Sequence, residues 1–371
     1  MRSWNSITLG EVLPFKYGKN LPASKRTHSG EYDVVSSAGI IDSHDTAFTT
    51  EPCIVIGRKG SIGSLTYCPD PVWPTDTTFY VTGTPYCDLR FGYYVLQTLP
   101  LNQMNNDSAV PGLNRNDAES LAFSLPPVSK QKTIAKVLGS LDDKIAANQR
   151  TIQSADSLRN ALWDKLLKTN TESLPLSSLA EFINGRAFTK NATGTGRVVT
   201  RIAELNSGIG SNTVFNDIEV HQNHVVLPGE LLFAWSGTLM TKRWPYDEAI
   251  VNQHIFKVLP ISKFDLWALE LIIQSQIHYF QMIAAGKATT MGHIKRADLD
   301  KTVEVPTSIP DKLNMLGNTL WMLASQAEQE NQTLARTRDE LLPLLMSGKI
   351  TVRDAEEASA EVGVDEHEVE E

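Results

Sequence analysis

The chain has few cysteines and no long apolar run. Its 371 residues include three cysteines, Cys53, Cys68 and Cys87, and no two of them form a C-x-x-C pair. An odd number of thiols without paired spacing argues against both a disulfide framework and a zinc site. No run of 18 apolar residues occurs, and the N-terminal stretch lacks the apolar segment of a signal peptide. We therefore expect a cytoplasmic protein with no membrane partner.

The sequence also lacks the signatures of common catalytic sites. It contains no G-x-S-x-G and no H-E-x-x-H motif. The stretch IVIGRKGSIG, residues 54–63, is rich in glycine, but its lysine precedes Gly60 and the following SLTYCPD is typical of a strand and a turn. A nucleotide-binding P-loop instead needs its lysine and hydroxyl after the last glycine, at the start of a helix. We therefore predict no catalytic residue, no metal site and no cofactor in this chain.

Acidic residues outnumber basic ones, and the excess lies at one end of the chain. The net charge is −9, and residues 353–371 hold nine acidic side chains against one arginine. We interpret residues 351–371 as an acidic, disordered tail, because charge dominates this segment and it has no aromatic residue. The rest of the chain is nearly neutral. Any contact with nucleic acid must therefore come from local basic patches.

Two long segments carry the heptad pattern of paired helices. Residues 129–167 and 308–350 each contain ten core positions at alternating spacings of three and four, eight of which are apolar. In the second segment these positions include Leu316 and Leu323. The pattern predicts two helices of roughly 35–38 residues in a coiled coil. Each helix could brace its own domain or pair with another chain, but their matched lengths favour an antiparallel pair within this chain.

The region before each helix repeats. CIVIGRKGSIG (53–63) aligns with ELLFAWSGTLM (230–240), WPTDTTFYV (73–81) with AIVNQHIFKV (249–258), and LGEVLPFKYGKN (9–20) with LAEFINGRAF (179–188). Such a repeat predicts two copies of one structural unit. We predict an α+β fold with a pseudo-two-fold internal repeat. Its parts are a globular domain at 1–127, a helix at 128–170, a second domain at 171–307, a second helix at 308–350 and the tail.

The GRKGSIG stretch has two interpretations. IVI is typical of a strand, and the glycines suit a tight turn from which Arg58 and Lys59 would project. Cations and exposed backbone amides at such a turn can bind DNA phosphates, and arginine can read guanine in the major groove. Taken alone, however, the same stretch fits a solvated turn with ordinary surface charges.

The order of motifs along the chain matches a known family. GRKGSIG is followed by WPTDTTFYV, then by PGLNRNDAESL leading into a long helix, and the closing helix ends RTRDELLPLLMSGKI. Over residues 1 to about 350 the chain resembles the specificity subunits of type I restriction–modification systems. The resemblance implies that each globular domain is a target recognition domain, which reads one part of a split double-stranded DNA target.

The resemblance also implies partners and a division of labour. The helices would dock two methyltransferase subunits, and nuclease/translocase subunits would complete the complex. S-adenosylmethionine, ATP and Mg²⁺ would act on those partners, and this chain would be a non-catalytic subunit. The alternative is an interaction scaffold, in which two binding domains on a coiled coil contact proteins and not DNA.

We predict DNA contacts from basic and polar side chains of both domains. Those of the first domain are Arg58, Lys59, Ser61, Asn114 and Arg115. Those of the second are Arg186, Lys190, Ser236, Lys242, Arg243, Lys295 and Arg296. Residues 234–240, AWSGTLM, lack the Arg-Lys pair of GRKGSIG, so we expect an asymmetric bipartite target. A common face for Arg58, Lys59 and Arg115 would favour DNA over the scaffold alternative.

Overall fold

The computed structural model describes residues 4–104, 112–286 and 294–364. The chain divides into two compact units. Unit 1 comprises Met1–Lys144 and Leu334–Glu371, and unit 2 comprises Ile145–Thr333. Each unit therefore contains one globular domain together with parts of both long helices.

Unit 1 has a mixed α+β architecture. Among its described residues the strands are β1 (Asn5–Thr8), β2 (Lys16–Tyr17), β3 (Tyr32–Ser36), β4 (Gly39–His44), β5 (Cys53–Gly57), β6 (Leu65–Cys68), β7 (Trp73–Pro74), β8 (Thr78–Thr82) and β9 (Ala122–Leu125). The helices of its globular part are α1 (Leu9–Val12), α2 (Leu89–Thr98) and α3 (Arg115–Glu119). An antiparallel sheet has the order β2–β8–β5–β6, a second sheet has the order β4–β3–β7, and β1 pairs with β9. β5, which reads CIVIG, is buried along its whole length, because apolar β-branched residues suit an interior strand.

Unit 2 has the same kinds of elements. The strands in its described part are β10 (Thr171–Pro175), β11 (Ala180–Asn184), β12 (Arg197–Thr200), β13 (Phe215–Asn216), β14 (Val225–Val226), β15 (Leu231–Ala234), β16 (Met240–Arg243), β17 (Ala249–Val251), β18 (Ile255–Pro260) and β19 (Thr302–Pro306). Its two shorter helices there are α5 (Ile202–Ser207) and α6 (Leu266–Gly286). Aromatic and aliphatic side chains from the strands and α6 form its main core. Over the described ranges, no helix is long and apolar enough to cross a membrane.

The two units share the strand order of their antiparallel sheets and the central pairing of their second sheets. The antiparallel order β11–β18–β15–β16 of unit 2 repeats the order β2–β8–β5–β6 of unit 1. In the other sheet, β12 pairs in parallel with β17 as β3 does with β7. The antiparallel pair β10–β19 corresponds to β1–β9. The predicted internal repeat is therefore confirmed at the level of strand order and direction.

The two long helices are α4 (Val128–Leu167) and α7 (Asp311–Met346), and they run antiparallel. In unit 1, Arg338 of α7 donates to Asp142 of α4 at 2.7 Å. In unit 2, the Asn148 amide donates to Glu330 at 2.7 Å and to Asn331 at 3.0 Å. As the residue number rises along α4, the number of its partner falls along α7. The predicted antiparallel pair is confirmed.

The buried face of α7 differs from the predicted one near its start. Leu316 and Leu323, both predicted core positions, are 40% and 43% exposed. Their neighbours Gly317 and Ala324 are buried instead. A Cβ on Gly317 would lie 2.3 Å from a ring carbon of Trp267. The bulky Trp267 indole on α6 thus fits against the face of α7 that carries the small Gly317.

The C-terminal segment corrects a second prediction. Residues predicted to begin a disordered tail form helix α8 (Val352–Glu361), which belongs to unit 1. The side chain of Thr351 accepts from the Asp354 amide at 3.2 Å, and the Asp354 carboxylate accepts from the Thr351 amide at 2.8 Å. Such a capping box stabilises a helix start. Ala355 and Ser359, one turn apart, are buried. The rest of the predicted tail, residues 365–371, lies outside the described residues.

Candidate nucleic-acid interface

The turn that joins β5 to β6 is held by backbone hydrogen bonds on both sides. The amides of Arg58 and Lys59 donate to the Thr77 carbonyl at 2.9 and 3.1 Å, and the Leu113 amide donates to the Arg58 carbonyl at 2.9 Å. At Gly63, φ is 70°, and a Cβ would lie 2.5 Å from a neighbouring backbone nitrogen. Glycine fits both constraints. The turn therefore presents its side chains from a fixed backbone.

Arg58 and Arg115 meet at the ring of Tyr17. Their guanidinium carbons lie 5.4 and 6.0 Å from the ring centroid. Arg58 also donates to the Asp76 carbonyl at 2.8 Å, and Arg115 donates from Nε to Glu119 at 3.0 Å. Tyr17 itself is 53% exposed. We call Tyr17, Arg58 and Arg115 the Tyr17 cluster.

The other predicted residues of unit 1 lie around this cluster. Lys59 is exposed and forms a β-bridge with Gly112, three residues before Arg115. Ser61 is exposed in the same turn. Asn114 caps α3, because its side-chain oxygen accepts from the amides of Asn116 and Asp117 at 2.8 and 3.3 Å. The structure thus brings Arg58, Lys59 and Arg115 to one region of the unit 1 surface.

The turn that joins β15 to β16 in unit 2 has the same backbone connections. The Trp235 amide donates to the His254 carbonyl at 3.1 Å, and the Ile294 amide donates to the Trp235 carbonyl at 3.2 Å. These contacts repeat those that Arg58 makes in unit 1, so Trp235 occupies the position of Arg58. Gly237 has a φ of 63°, close to the 77° of Gly60. The two turns share a backbone arrangement and differ in side chains.

Asn184 and Tyr17 are also equivalent. Each ends an outer strand of its antiparallel sheet and precedes a glycine, Gly185 or Gly18. A Cβ on these glycines would lie 2.1 Å from the Asn252 carbonyl oxygen and 2.0 Å from the corresponding oxygen in unit 1. The indole Nε1 of Trp235 donates to Asn184 Oδ1 at 2.9 Å. In both units, therefore, the residue before the glycine contacts the side chain of the turn.

The exposed predicted cations of unit 2 occupy three segments. Arg186 follows Gly185 and forms a β-bridge with Asn252. Burial lowers the pKa of nearby His224, and the charge of Arg186 lowers it further. Lys295 follows the Ile294 that contacts Trp235. The other exposed predicted cations are Lys190, Lys242 and Arg296.

The structure corrects two predicted contacts of unit 2. Ser236 is 3% exposed, so its hydroxyl does not line the surface. Arg243 is 5% exposed and makes paired hydrogen bonds of 2.9–3.1 Å with Asp156 on α4 and Glu328 on α7. Burial alone would lower the pKa of Arg243, but these two carboxylates raise it above its ordinary value. Arg243 therefore stays charged and fastens β16 to the long helices.

A second arginine completes the buried network around Arg243. Arg159 forms an ion pair with Glu270, with 2.6 Å between Nη2 and Oε2. The guanidinium carbons of Arg159 and Arg243 lie 5.1 and 5.0 Å from the ring of Trp321. Arginine stacks readily on indole. Arg243 was predicted to contact DNA as a basic side chain of the second domain, whereas the structure shows an internal ion pair.

Sequence reasoning missed Tyr17 and Asn184. The signal for both was the glycine that follows them in the aligned segments LPFKYGKN and EFINGRAF. A glycine shared by two repeats marks a close backbone approach, and the residue before it then has a fixed position. No group of three or more His, Cys, Asp or Glu side chains suited to a metal ion occurs in the described part of the chain.

Comparison with known proteins finds similarity to type I specificity subunits. The family model for the type I restriction modification DNA specificity domain matches residues 1–156. The first 156 residues are therefore similar to this DNA specificity domain. The specificity subunit of the Escherichia coli type I restriction enzyme EcoprrI is 26% identical over 145 residues, which are 36% of this chain and 35% of that protein. These relatives are named as specificity subunits and not as methyltransferases or nucleases.

Other similarities cover the rest of the chain. A predicted type I specificity subunit of Mycoplasma genitalium is 25% identical over 183 residues, or 45% of each chain. The aligned stretch thus spans less than half the length of the curated specificity subunits that match. The crystal structure of the type I S subunit from M. genitalium matches with a TM-score of 0.61 and 15% identity, covering 92% of this chain and 96% of that one. This similarity confirms the fold of the type I specificity subunit.

Proposed function

We propose that this chain is the DNA sequence-recognition subunit of a type I restriction–modification complex. Each unit would read one part of a bipartite double-stranded DNA target, through the turn and the pre-glycine residue of its antiparallel sheet. The observation that carries this proposal is the pair of equivalent surfaces, which share backbone contacts while their side chains differ. The chain itself would perform no chemistry.

The side chains at the two surfaces support an asymmetric target. Unit 1 presents two guanidinium groups around Tyr17, whereas unit 2 has the Trp235–Asn184 pair at the same positions. Arginine favours guanine O6 and N7 in the major groove, and asparagine presents both an amide donor and a carbonyl acceptor. Surfaces with different hydrogen-bonding groups should select different base sequences.

Exposed cations around both surfaces would supply the sequence-independent part of binding. Lys59 adjoins the Tyr17 cluster, and Arg186 and Lys295 adjoin the Trp235–Asn184 pair. Cations of this kind neutralise phosphates, release counterions and fix the position of a protein on the duplex. Base contacts from the central side chains would then provide discrimination of about 1–3 kcal/mol for each good bidentate pair.

An apolar stripe on α7 would dock a methyltransferase subunit. Two adjacent pairs, Met315–Leu316 and Met322–Leu323, lie about two turns apart. All four side chains are exposed, and those of Met315 and Met322 are 69% and 58% exposed. Large apolar side chains clustered at helical spacing on a surface are typical of a protein interface. Methyltransferase subunits, and the nuclease/translocase subunits that would join them, would carry the S-adenosylmethionine, ATP and Mg²⁺ chemistry.

Methylome sequencing tests the proposed function directly. The chain is expressed in a host that lacks other DNA methylation, together with the modification subunit encoded beside it. We expect a split, asymmetric methylated motif that disappears when this chain is deleted. If the complex assembles and no motif depends on the chain, the proposal fails and the interaction-scaffold alternative takes its place.

A further inference from the structure

We propose that Asn184 is the specificity-determining residue of unit 2, and that its amide donates a hydrogen bond to an acceptor on a base edge. Trp235 would be a positioning residue that fixes the direction of this amide. The inference rests on the proposed DNA-reading function. The inference goes further than that function, because it names the side chain, the donor atom and the kind of base atom that form the contact.

The direction of the amide follows from the chemistry of indole. Trp235 Nε1 lies 2.9 Å from the terminal side-chain atom of Asn184. An indole N–H can only donate, so the atom that faces it must be the carbonyl oxygen Oδ1. The usual ambiguity between the oxygen and nitrogen of an asparagine is therefore removed by its partner. The amide nitrogen Nδ2 is consequently on the other branch of the side chain.

That nitrogen belongs to an exposed side chain. Asn184 is exposed, and within the described ranges Trp235 is the one hydrogen-bond partner of its side chain. Nδ2 carries two N–H donors and no acceptor. The surface of unit 2 thus presents a fixed pair of donors at this point.

The backbone and the indole are both held in place. Asn184 pairs with Phe256 in the β11–β18 ladder, and the following Gly185 packs so closely that a Cβ would lie 2.1 Å from a carbonyl oxygen. The Trp235 ring packs against His254 and Phe256 at 5.5 and 5.8 Å between centroids. A donor whose direction is set before binding discriminates better than one that can rotate, because it cannot adapt to a wrong base.

The Asn184 amide nitrogen is a donor only, which restricts the bases that it can recognise. In the major groove, guanine O6 and N7, adenine N7 and thymine O4 are acceptors, whereas cytosine presents only its N4 amino donor. Asn184 should therefore accept guanine, adenine or thymine at one position of the contacted strand and reject cytosine. The equivalent position in unit 1 carries Tyr17 between two arginines, so this rule applies to one part of the target only.

The test uses the full chain in complex with its modification subunits. After methylome sequencing has given the wild-type motif, competition binding compares duplexes that carry each of the four base pairs at each motif position. Asn184→Asp keeps an acceptor for the Trp235 N–H but replaces the amide donor with an acceptor. We expect it to bind the cognate duplex about ten-fold more weakly. We further expect its preference to move, at one position only, towards a base with an amino group, cytosine or adenine.

A second variant and a control separate the possible outcomes. Trp235→Phe keeps a ring but lets the amide rotate, so we expect relaxed discrimination at that same position. Asn170→Asp adds the same charge at an exposed asparagine between α4 and β10, and its motif should equal that of the wild type. Equal weakening of all duplexes by Asn184→Asp, an unchanged motif, or effects of the two variants at different positions would each overturn the inference. A wild-type complex without any sequence preference would overturn the proposed function itself.

Discussion

The buried network around Arg243 predicts how much unfolding free energy is lost when this arginine is replaced. In Arg243→Met, a side chain of similar length replaces the guanidinium group. The carboxylates of Asp156 and Glu328 then lose four hydrogen bonds of 2.9–3.1 Å. Removing one partner of a buried ion pair costs about 3–5 kcal/mol when it leaves a charge buried without compensation, but Asp156 keeps Arg159 at 3.2 Å. Asp156 is 33% exposed and Glu328 18%, so partial solvation places the expected loss near the lower limit, about 3 kcal/mol.

Urea unfolding followed by tryptophan fluorescence measures this loss. Five of the seven tryptophans, including Trp321 beside Arg243, lie in unit 2, so the signal reports mainly on that unit. With a denaturant dependence of about 2 kcal/mol per molar urea, a loss of about 3 kcal/mol lowers the midpoint by about 1.5 M. The adjacent and exposed Lys242 provides the control, since Lys242→Met should change stability by less than about 0.5 kcal/mol.

A double variant tests the physical reason. Arg243→Met combined with Glu328→Gln removes a carboxylate together with its cation, and a neutral amide is cheaper to leave buried than a charge. We expect the double variant to be more stable than Arg243→Met alone. The reasoning is refuted if Arg243→Met unfolds at the wild-type midpoint, or if the double variant is the less stable of the two.

Three further predictions concern binding, assembly and thiol reactivity. Replacing Lys59 with alanine should make the fall of the log binding constant with log salt less steep by about 1, because each phosphate contact contributes about 0.9. An unchanged slope in salt-titrated DNA binding would contradict this. Met322→Glu should reduce the amount of methyltransferase subunit that co-purifies with the chain. The control Gln326→Glu, at an exposed residue one turn away, should not reduce it. Equal recovery with both variants would argue against docking on the α7 stripe. Burial raises the pKa of the Cys87 thiol to about 12. At pH 8, iodoacetamide should therefore alkylate Cys87 at least about 100-fold more slowly in native protein than in protein unfolded in urea. Peptide mass spectrometry measures both rates, and equal rates would contradict the prediction.

The sequence predicted the repeat and the helix pair because both depend on periodic patterns. Aligning GRKGSIG with AWSGTLM correctly placed Arg58 and Trp235 at one position, which their equivalent backbone hydrogen bonds confirm. The heptads correctly predicted the existence and approximate length of α4 and α7, and the matched lengths correctly predicted their antiparallel direction. Local patterns of this kind persist whatever else the chain contacts.

The sequence did not reveal which predicted site residues are buried. Arg243 and Lys242 are adjacent cations in one strand, yet Arg243 is buried and Lys242 is exposed. Successive side chains of a strand point to opposite faces, and only the position of α4 and α7 against β16 decides which face is covered. The same limit applies to Ser236, which looked like an exposed turn residue.

The tail and the start of α7 show where composition and periodicity fail. An acidic composition indicated disorder at residues 351–364, but a capping box and two small buried side chains stabilise α8. In α7 the heptad predicted that Leu316 faces inward, but Trp267 on another helix packs against Gly317 instead.

The sequence by itself therefore determined how many structural units this protein has, in what order they occur and which segments correspond. These properties are carried by local patterns that repeat along the chain. Only the tertiary structure decided that Trp235 orients Asn184 and that Arg243 is internal. The physical reason is that burial and hydrogen-bond direction depend on partners distant in sequence, which no local pattern specifies.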